Sequence, residues 1–469
     1  MESTASIKDL KIQVTNKQIL SIALPITLAI LIPQVNMLTN SIFLGNLSTE
    51  ALGNAGITGV YYLIFAVAGH GLNNAMQSVF SRYAGSGETA AFKTILAQGI
   101  RISILIALAG IFITWFIAPY ILKNVADPKS YPAEMSFLKI RILGLPFLYL
   151  FQMGNAFLLS SLNSRYLMIG FIFEASLNII LDYLLIYGNA GFPMLGFNGA
   201  AVASVISEAA GLLVVYIVLH KTGLKKQYFL LQSYVRDKTK MKEIIKVATP
   251  LSLQYMISVV TWLVFFFLVE DKGTAAKAIS NTMRSVFGLV GVFVWAFAGT
   301  CNNMVSNLMG QQKEDKVIEA ISRIMLWSLG FCCLMCLLIN SFPTAFFALF
   351  GQGEAFIAEG IPVLRMVSLG LIVMSVANIW LNGVTGTGNT RVNLAIEIGA
   401  ILVYIVYTYI FMKLHYVSLA MAWSNELIYW TIIFSGAFFY LKRGKWRTQG
   451  KSPGAKGEVF KEISSCREA

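Results

Sequence analysis

The residues of this sequence best suited to ion chemistry are three polar side chains inside one apolar run, 173–188. Glu174, Asn178 and Asp182 follow one another at intervals of four residues, so a helix places all three on one face. They would extend over roughly 12 Å of the helix axis. Carboxylate and amide oxygens suit hard cations and protons. The run therefore predicts a site for a proton or a monovalent cation such as Na⁺.

A second polar set lies in the first apolar block, which reads LPITLAILIPQVNMLTNSIFLGNL. Pro25 and Pro33 lie inside this block, and each proline removes a helical hydrogen bond and bends the helix. A helix that can bend beside a cavity is suited to gating. The same block carries Asn40, and Gln34 and Asn36 are candidates to line a substrate cavity.

The stretch GFNGAAVASVISE at 196–208 opens another apolar block with small residues. Gly199, Ala200 and Ala203 allow a neighbouring helix to approach closely. Ser204, one turn beyond Ala200, could turn its hydroxyl towards the same neighbour.

The elements that must position these residues are membrane helices. The chain is 57% hydrophobic with a mean hydropathy of +0.68, and 13% of its residues are charged, against roughly 25% in soluble proteins. A spanning helix needs about 20 apolar residues. Twelve such blocks lie near 18–44, 53–81, 94–121, 135–161, 166–188, 198–220, 246–269, 277–308, 320–342, 360–384, 392–413 and 417–441. An all-α polytopic membrane protein follows, because helices satisfy their own backbone in lipid.

The basic residues predict how the chain is oriented. The formal net charge is +13, and Lys and Arg concentrate in the linker 221–246 and the tail after Lys442, whereas the loops 45–52, 189–196 and 351–357 carry none. Basic segments mark the cytoplasmic side. We therefore expect both termini and the linker to be cytoplasmic in the plasma (inner) membrane, close to anionic lipid rather than nucleic acid.

An internal repeat divides the blocks into six and six. Pro25 aligns with Pro250, Ser81 with Ser306 and Gly85 with Gly310 at one offset, and further pairs follow at slightly smaller offsets: Asn155 with Asn378, Glu174 with Glu397 and Glu208 with Glu426. Parallel halves are a common transporter plan. The predicted division is 1–17 N-terminal segment, 18–220 first lobe, 221–245 linker, 246–441 second lobe and 442–469 tail.

Three further acids, Glu208, Glu397 and Glu426, lie within apolar blocks. An ionisable residue in a membrane span suggests function, and these three are candidates to face a substrate cavity. Polar residues also hold membrane helices together, so both interpretations stay open for them.

The motifs ALPITL, LGNLSTEALGNAGI, RYAGSGE, FLKIRILGLPF, LNIILDYLLIYG and GFNGAAVASVIS occur in this order. With the halved plan, the chain resembles multidrug and toxic compound extrusion (MATE) transporters over about residues 15–440. The resemblance implies a V-shaped bundle of twelve helices in two pseudo-symmetric lobes. It also implies export of organic, often cationic, compounds in exchange for Na⁺ or H⁺ by alternating access, with no cofactor.

The resemblance also implies a cation site in the first lobe. The family's fifth-helix asparagine and aspartate match Asn178 and Asp182, its sixth-helix hydroxyl matches Ser204, and a backbone oxygen would come from Ala200. The family's first-helix aspartate falls at Asn40, which keeps an oxygen and removes a charge.

One branch of the family has a second coupling site in the second lobe, and this sequence departs from it. Its seventh-helix glutamate falls at Ser258 and its tenth-helix aspartate at Met374. What remains is a first-lobe site centred on Asp182, to which Glu174 is added one turn beyond Asn178.

Two other classes of protein fit the sequence less well. A lipid-linked oligosaccharide flippase has a similar bundle but should line its cavity with Lys and Arg, and here only Lys139, Arg141 and Arg284 lie away from helix ends. An enzyme is not expected, because the HExxH and GxSxG motifs are missing. The expected protein is a monomer with a small organic substrate, and the sequence does not select between Na⁺ and H⁺.

Overall fold

The structure is a computed structural model that describes residues 9–123, 128–232, 235–270, 272–348, 353–414, 417–444 and 446–447. Residues 1–8 of the N-terminal segment and residues 448–469 of the predicted tail lie outside this range. The described residues form twelve long helical segments: α1 Asn16–Leu47, α2 Thr49–Ser86, α3 Phe92–Phe112, α4 in two parts (Tyr131–Arg141 and Leu145–Ser160), α5 Leu167–Tyr187, α6 Phe197–Lys221, α7 Lys238–Glu270, α8 Thr274–Gly310, α9 Val317–Ser341, α10 Glu354–Gly386, α11 Thr390–Tyr409 and α12 Asn425–Lys442.

Eleven of these segments, α1 to α11, are long and apolar enough to cross a membrane. The last, α12, has 18 residues and carries Asn425 and Glu426 in its first turn, which lowers its mean hydropathy. The short helix Leu419–Ala422 precedes it. No strand occurs among the described residues. The predicted all-α polytopic class is confirmed.

Helix α1 is continuous through both prolines predicted to bend it. Pro25 has no N–H for the carbonyl of Ser21, four residues before it. Ser164, which lies just before α5, donates its hydroxyl to that carbonyl at 3.3 Å. A neighbouring side chain thus replaces the bond lost at Pro25.

The two halves meet along the last turns of α2 and α8, a contact called here the linker-side seam. A Cβ at Gly85 would overlap the carbonyl of Asn307, and one at Gly310 would overlap the carbonyl of Arg82. Four side-chain hydrogen bonds continue the seam: Ser78 with Ser306 at 2.8 Å, Ser81 with Asn303 at 2.7 Å, Asn74 with Asn302 at 2.6 Å and Gln77 with the Gly299 carbonyl at 2.7 Å.

The segment before α1 lies across the same seam. The Asn307 amide accepts from the backbone N–H of Ile12 and donates to the carbonyl of Leu10, both at 3.0 Å. Gln311 donates to the carbonyl of Ile12 at 2.9 Å. Leu10 and Ile12 are buried, so the N-terminal end of the first half is fastened to the second half.

Candidate cation site

The predicted cation-site residues come together between α1, α5 and α6. Asp182 and Asn178 are buried on α5, with 0% and 2% of their surface exposed. Asn40 on α1 donates its amide N–H to Asp182 Oδ2 at 3.3 Å. The carboxylate of α5 therefore faces the amide that stands at the family's aspartate position.

The amide of Asn178 fits one orientation within this group. Its nitrogen then donates to Asp182 Oδ2 at 3.3 Å and to Asn36 Oδ1 at 2.9 Å, and its oxygen accepts from the backbone N–H of Ser204 at 3.1 Å. These five residues, Asn36, Asn40, Asn178, Asp182 and Ser204, are called the Asp182 cluster. The sequence placed Asn36 in a substrate cavity, and its interval from Asn40 is the one signal that both share a face of α1.

The second carboxylate oxygen of Asp182 is unused. Oδ1 is buried and has no hydrogen-bond partner among the described residues. A buried carboxylate is costly unless a proton, a cation or donors compensate it. Asp182 Oδ1 is therefore free to accept a proton or a cation.

The small residues of α6 explain how its serine approaches α5. A Cβ at Gly199 would lie 2.6 Å from the carbonyl oxygen of Leu185. Only glycine permits this crossing, which brings the first turns of α6 against α5. Ala200 is buried there, one turn before Ser204.

Glu174 belongs to a second polar group, one turn away along α5. Its side chain packs against Gly211 of α6, where an added Cβ would lie 3.2 Å from Glu174 Oε2. Three residues before Gly211, Glu208 is held in a bidentate ion pair by Arg141 of α4, at 2.6 and 3.0 Å. Tyr62 of α2 donates its hydroxyl to Glu208 at 3.2 Å. The guanidinium of Arg141 lies over the Tyr62 ring, with Cζ 3.8 Å from the ring centroid. Tyr62, Arg141, Glu174 and Glu208 are called the Arg141 cluster.

The other two cations singled out in the sequence are not part of this group. Lys139 lies over the ring of Trp115 at 5.6 Å, and Arg284 is exposed on α8. The three cations therefore do not form one cluster.

The second half holds its two acids among neutral donors. Ser258 of α7 and Tyr429 of α12 donate hydrogen bonds to Glu397 Oε1, and Gln254 donates to Oε2 at 3.3 Å. Ser258 stands at the glutamate position of the family's second-lobe site, so Glu397 of α11 brings a carboxylate to that position. No sequence interval links residues on α7, α11 and α12, and only the packing of these helices reveals the group.

Glu426 lies nearby on α12. Trp430, one turn along the same helix, donates its indole N–H to Glu426 at 3.0 Å. The rings of Tyr429 and Trp430 are 4.9 Å apart, so the two acids flank an aromatic pair.

The five candidates for a substrate cavity are thus distributed over the bundle. Asn36 lies in the Asp182 cluster, Glu208 in the Arg141 cluster, and Glu397 and Glu426 in the second half. Gln34 of α1 faces Gly288 of α8, where an added Cβ would lie 3.8 Å from its Oε1.

A family model described as MatE matches the chain twice, over residues 25–184 and 250–410. The matched segments begin at Pro25 and Pro250, the prolines paired by the internal repeat.

The chain is also similar to individual proteins. A probable multidrug resistance protein NorM from Thermotoga maritima is 22% identical over 80% of this chain and 80% of its own length. An FAD transporter from Shewanella oneidensis is 25% identical over 70% of this chain and 72% of its own.

Solved structures share the fold. A MOP superfamily transporter from Pyrococcus furiosus, described as having a binding pocket of reverse polarity, has a TM-score of 0.86 at 17% identity and covers 96% of this chain and 100% of its own. An outward-facing multidrug resistance MATE transporter has a TM-score of 0.85 at 17% identity, covering 94% of this chain and 98% of its own.

Proposed function

The chain belongs to the MatE family, and from this premise we propose that it exports amphiphilic, cationic organic compounds in exchange for Na⁺ or H⁺ by alternating access. It is a multi-pass membrane protein and, on this proposal, a transporter rather than an enzyme. The observation that carries the proposal is the Asp182 cluster, in which a buried carboxylate keeps one oxygen without a partner.

The chemistry of the cluster supports binding of a coupling ion. Asn40 and Asn178 present N–H groups to Asp182 Oδ2. Each amide also has an oxygen, and rotation about the Cβ–Cγ bond of the asparagine would turn that oxygen towards a bound Na⁺. A proton on Oδ1 needs no such rotation. Either ion neutralises the buried carboxylate, and it drives transport only if the two conformations bind it with different affinities.

The linker-side seam supports the alternating-access part of the proposal. Closure of the two halves at the linker end is what alternating access requires of a state that opens on the opposite side of the membrane. Pro25 and Pro33 of α1, the helix that carries Asn36 and Asn40, are the proposed bending points for the change of state.

The second half offers contacts for an organic cation. Glu397 and Glu426 are surrounded by neutral donors, and the aromatic pair Tyr429 and Trp430 lies between them. A carboxylate beside an aromatic face suits an alkylated ammonium. The flippase alternative has less support, since the guanidinium of Arg141 is already bound to Glu208.

The proposal is tested by efflux of a fluorescent organic cation from membrane vesicles under an imposed Na⁺ or pH gradient. Efflux above that of vesicles without the protein is expected. Equal efflux in both preparations would contradict the proposed function.

Asn40→Asp tests whether α1 belongs to the ion site. In the parent, the Asn40 amide nitrogen lies 3.3 Å from Asp182 Oδ2. The change therefore places a second carboxylate beside Asp182. We expect a cation affinity at least about tenfold higher, or a steeper pH dependence of efflux, because two close carboxylates attract a cation more strongly than one. Asn16→Asp, at the other end of α1, is the matched control. If both variants behave like the parent, Asn40 has no part in the site.

A cysteine-labelling experiment tests the orientation. Leu230 in the linker is buried, so Gln232, which is exposed, is the informative position on that side. Met194, in the loop before α6, is 67% exposed. In a cysteine-free background, an impermeant thiol reagent should label Met194→Cys in whole cells and Gln232→Cys only after permeabilisation. The opposite pattern would reverse the proposed cytoplasmic location of the linker and the termini.

A further inference from the structure

We propose that the Arg141 cluster is a second ion site, specific for a proton and located on Glu174. The inference deepens the proposed function and rests on it for the role of the proton in transport. Binding of the proton can be measured without transport.

The first step is the count of charges in the cluster. Arg141 supplies one positive charge, and both of its terminal nitrogens bind the two oxygens of Glu208. The pair is built into the fold, because a Cβ on Gly144, in the turn between the two parts of α4, would overlap Glu208 Oε2. The cation is therefore committed to Glu208, and Glu174 adds a second negative charge beside the pair.

The second step is the surroundings of Glu174. Its Oε2 is buried and has no hydrogen-bond partner among the described residues. The charged groups facing it are Arg141 from α4 and Glu208 from α6, and Tyr62 from α2 contacts that pair. On α5 the nearest acid is Asp182, two turns away, and the charged residue of α1 is Lys17 at the far end of that helix.

The third step is the choice of ion. Glu174 is half-buried as a whole, but its Oε2 is buried without a partner, and a proton or a cation on that oxygen offsets the cost of burying its charge. Na⁺ requires several oxygen ligands, but Glu174 packs against the bare backbone of Gly211, and the guanidinium of Arg141 repels a metal cation. A proton requires only the carboxylate. The Asp182 cluster, with its amide oxygens, has the ligands that Glu174 lacks.

Infrared difference spectroscopy on the purified full chain in lipid nanodiscs tests the site. Spectra at about pH 6 and pH 9 are compared, a range in which exposed carboxylates stay ionised. The parent should show a protonated-carboxyl band that is absent from Glu174→Gln and retained in Asp182→Asn. Glu319→Gln removes an exposed carboxylate of α9 and should leave the spectrum unchanged.

A second variant decides the matter independently. Glu208→Gln removes the partner of Arg141, which is then free to pair with Glu174 and hold it ionised. We expect the same band to disappear. A spectrum of Glu174→Gln identical to that of the parent would overturn the proton site, and a parent-like spectrum of Glu208→Gln would show that the Arg141–Glu208 pair does not control it. If the band disappears in Glu174→Gln as expected but the parent shows no gradient-driven efflux, the proposed function is contradicted and the proton site stands.

Discussion

Asp182→Asn should reduce gradient-driven efflux to the level of vesicles that lack the protein. The substitution keeps the size of the side chain and one oxygen, and it removes the charge that a coupling ion neutralises. An ion that binds both conformations with equal affinity does not shift the equilibrium between them. The measurement is efflux of a fluorescent organic cation under an imposed gradient, with expression matched by immunoblot.

The matched control for this variant is Glu319→Gln. It also replaces a carboxylate by an amide, but at an exposed position of α9 where ion pairs contribute only about 0–1 kcal/mol. Efflux should be unchanged in this control. If Asp182→Asn exports as well as the control, ion coupling does not pass through Asp182, and the acids of the second half become the candidates.

Gly85→Ala should shift the protein away from the state with a closed linker side. The new Cβ would overlap the carbonyl of Asn307 across the linker-side seam. Overpacking costs about 1–3 kcal/mol, which changes the ratio of two conformations by about 5- to 150-fold. Glu88 and Lys313 are both exposed near the ends of α2 and α8. Double electron–electron resonance between spin labels at these two positions should give a longer distance than in the parent.

Gly330→Ala is the matched control, because Gly330 lies on α9, outside the seam, and no atom lies within 4 Å of a Cβ added there. Its label distance should equal that of the parent. Equal distances in Gly85→Ala and Gly330→Ala would show that the glycine crossing does not set the balance between conformations.

Part of the Asp182 cluster follows from local rules, whereas Asn40 and Ser204 are assigned to it by the resemblance to the family. The interval of four between Asn178 and Asp182 places both on one face of α5, and glycine at 199 predicted the close approach of α6. The sequence does not predict that Asn36 belongs to the cluster. Asn36 was expected to line a substrate cavity, and its contact with the amide of Asn178 depends on how the side chains of α1 and α5 are oriented.

The remaining acids show the limit of reasoning along the chain. The sequence marks Arg141 and Glu208 separately, but their pairing depends on how α4 and α6 pack, which no interval encodes. In the same way, Ser258 was interpreted as the loss of a second-lobe carboxylate. The structure brings Glu397 to that serine from α11, so the carboxylate is present but is supplied by another helix.

The most direct test of the account uses the purified parent protein in liposomes, with a Na⁺ gradient and a pH gradient imposed separately. At least one of the two gradients should drive transport of a fluorescent organic cation, and Asp182→Asn should remove this dependence. Transport that is equal with and without both gradients would contradict the central claim that the protein is an ion-coupled exporter.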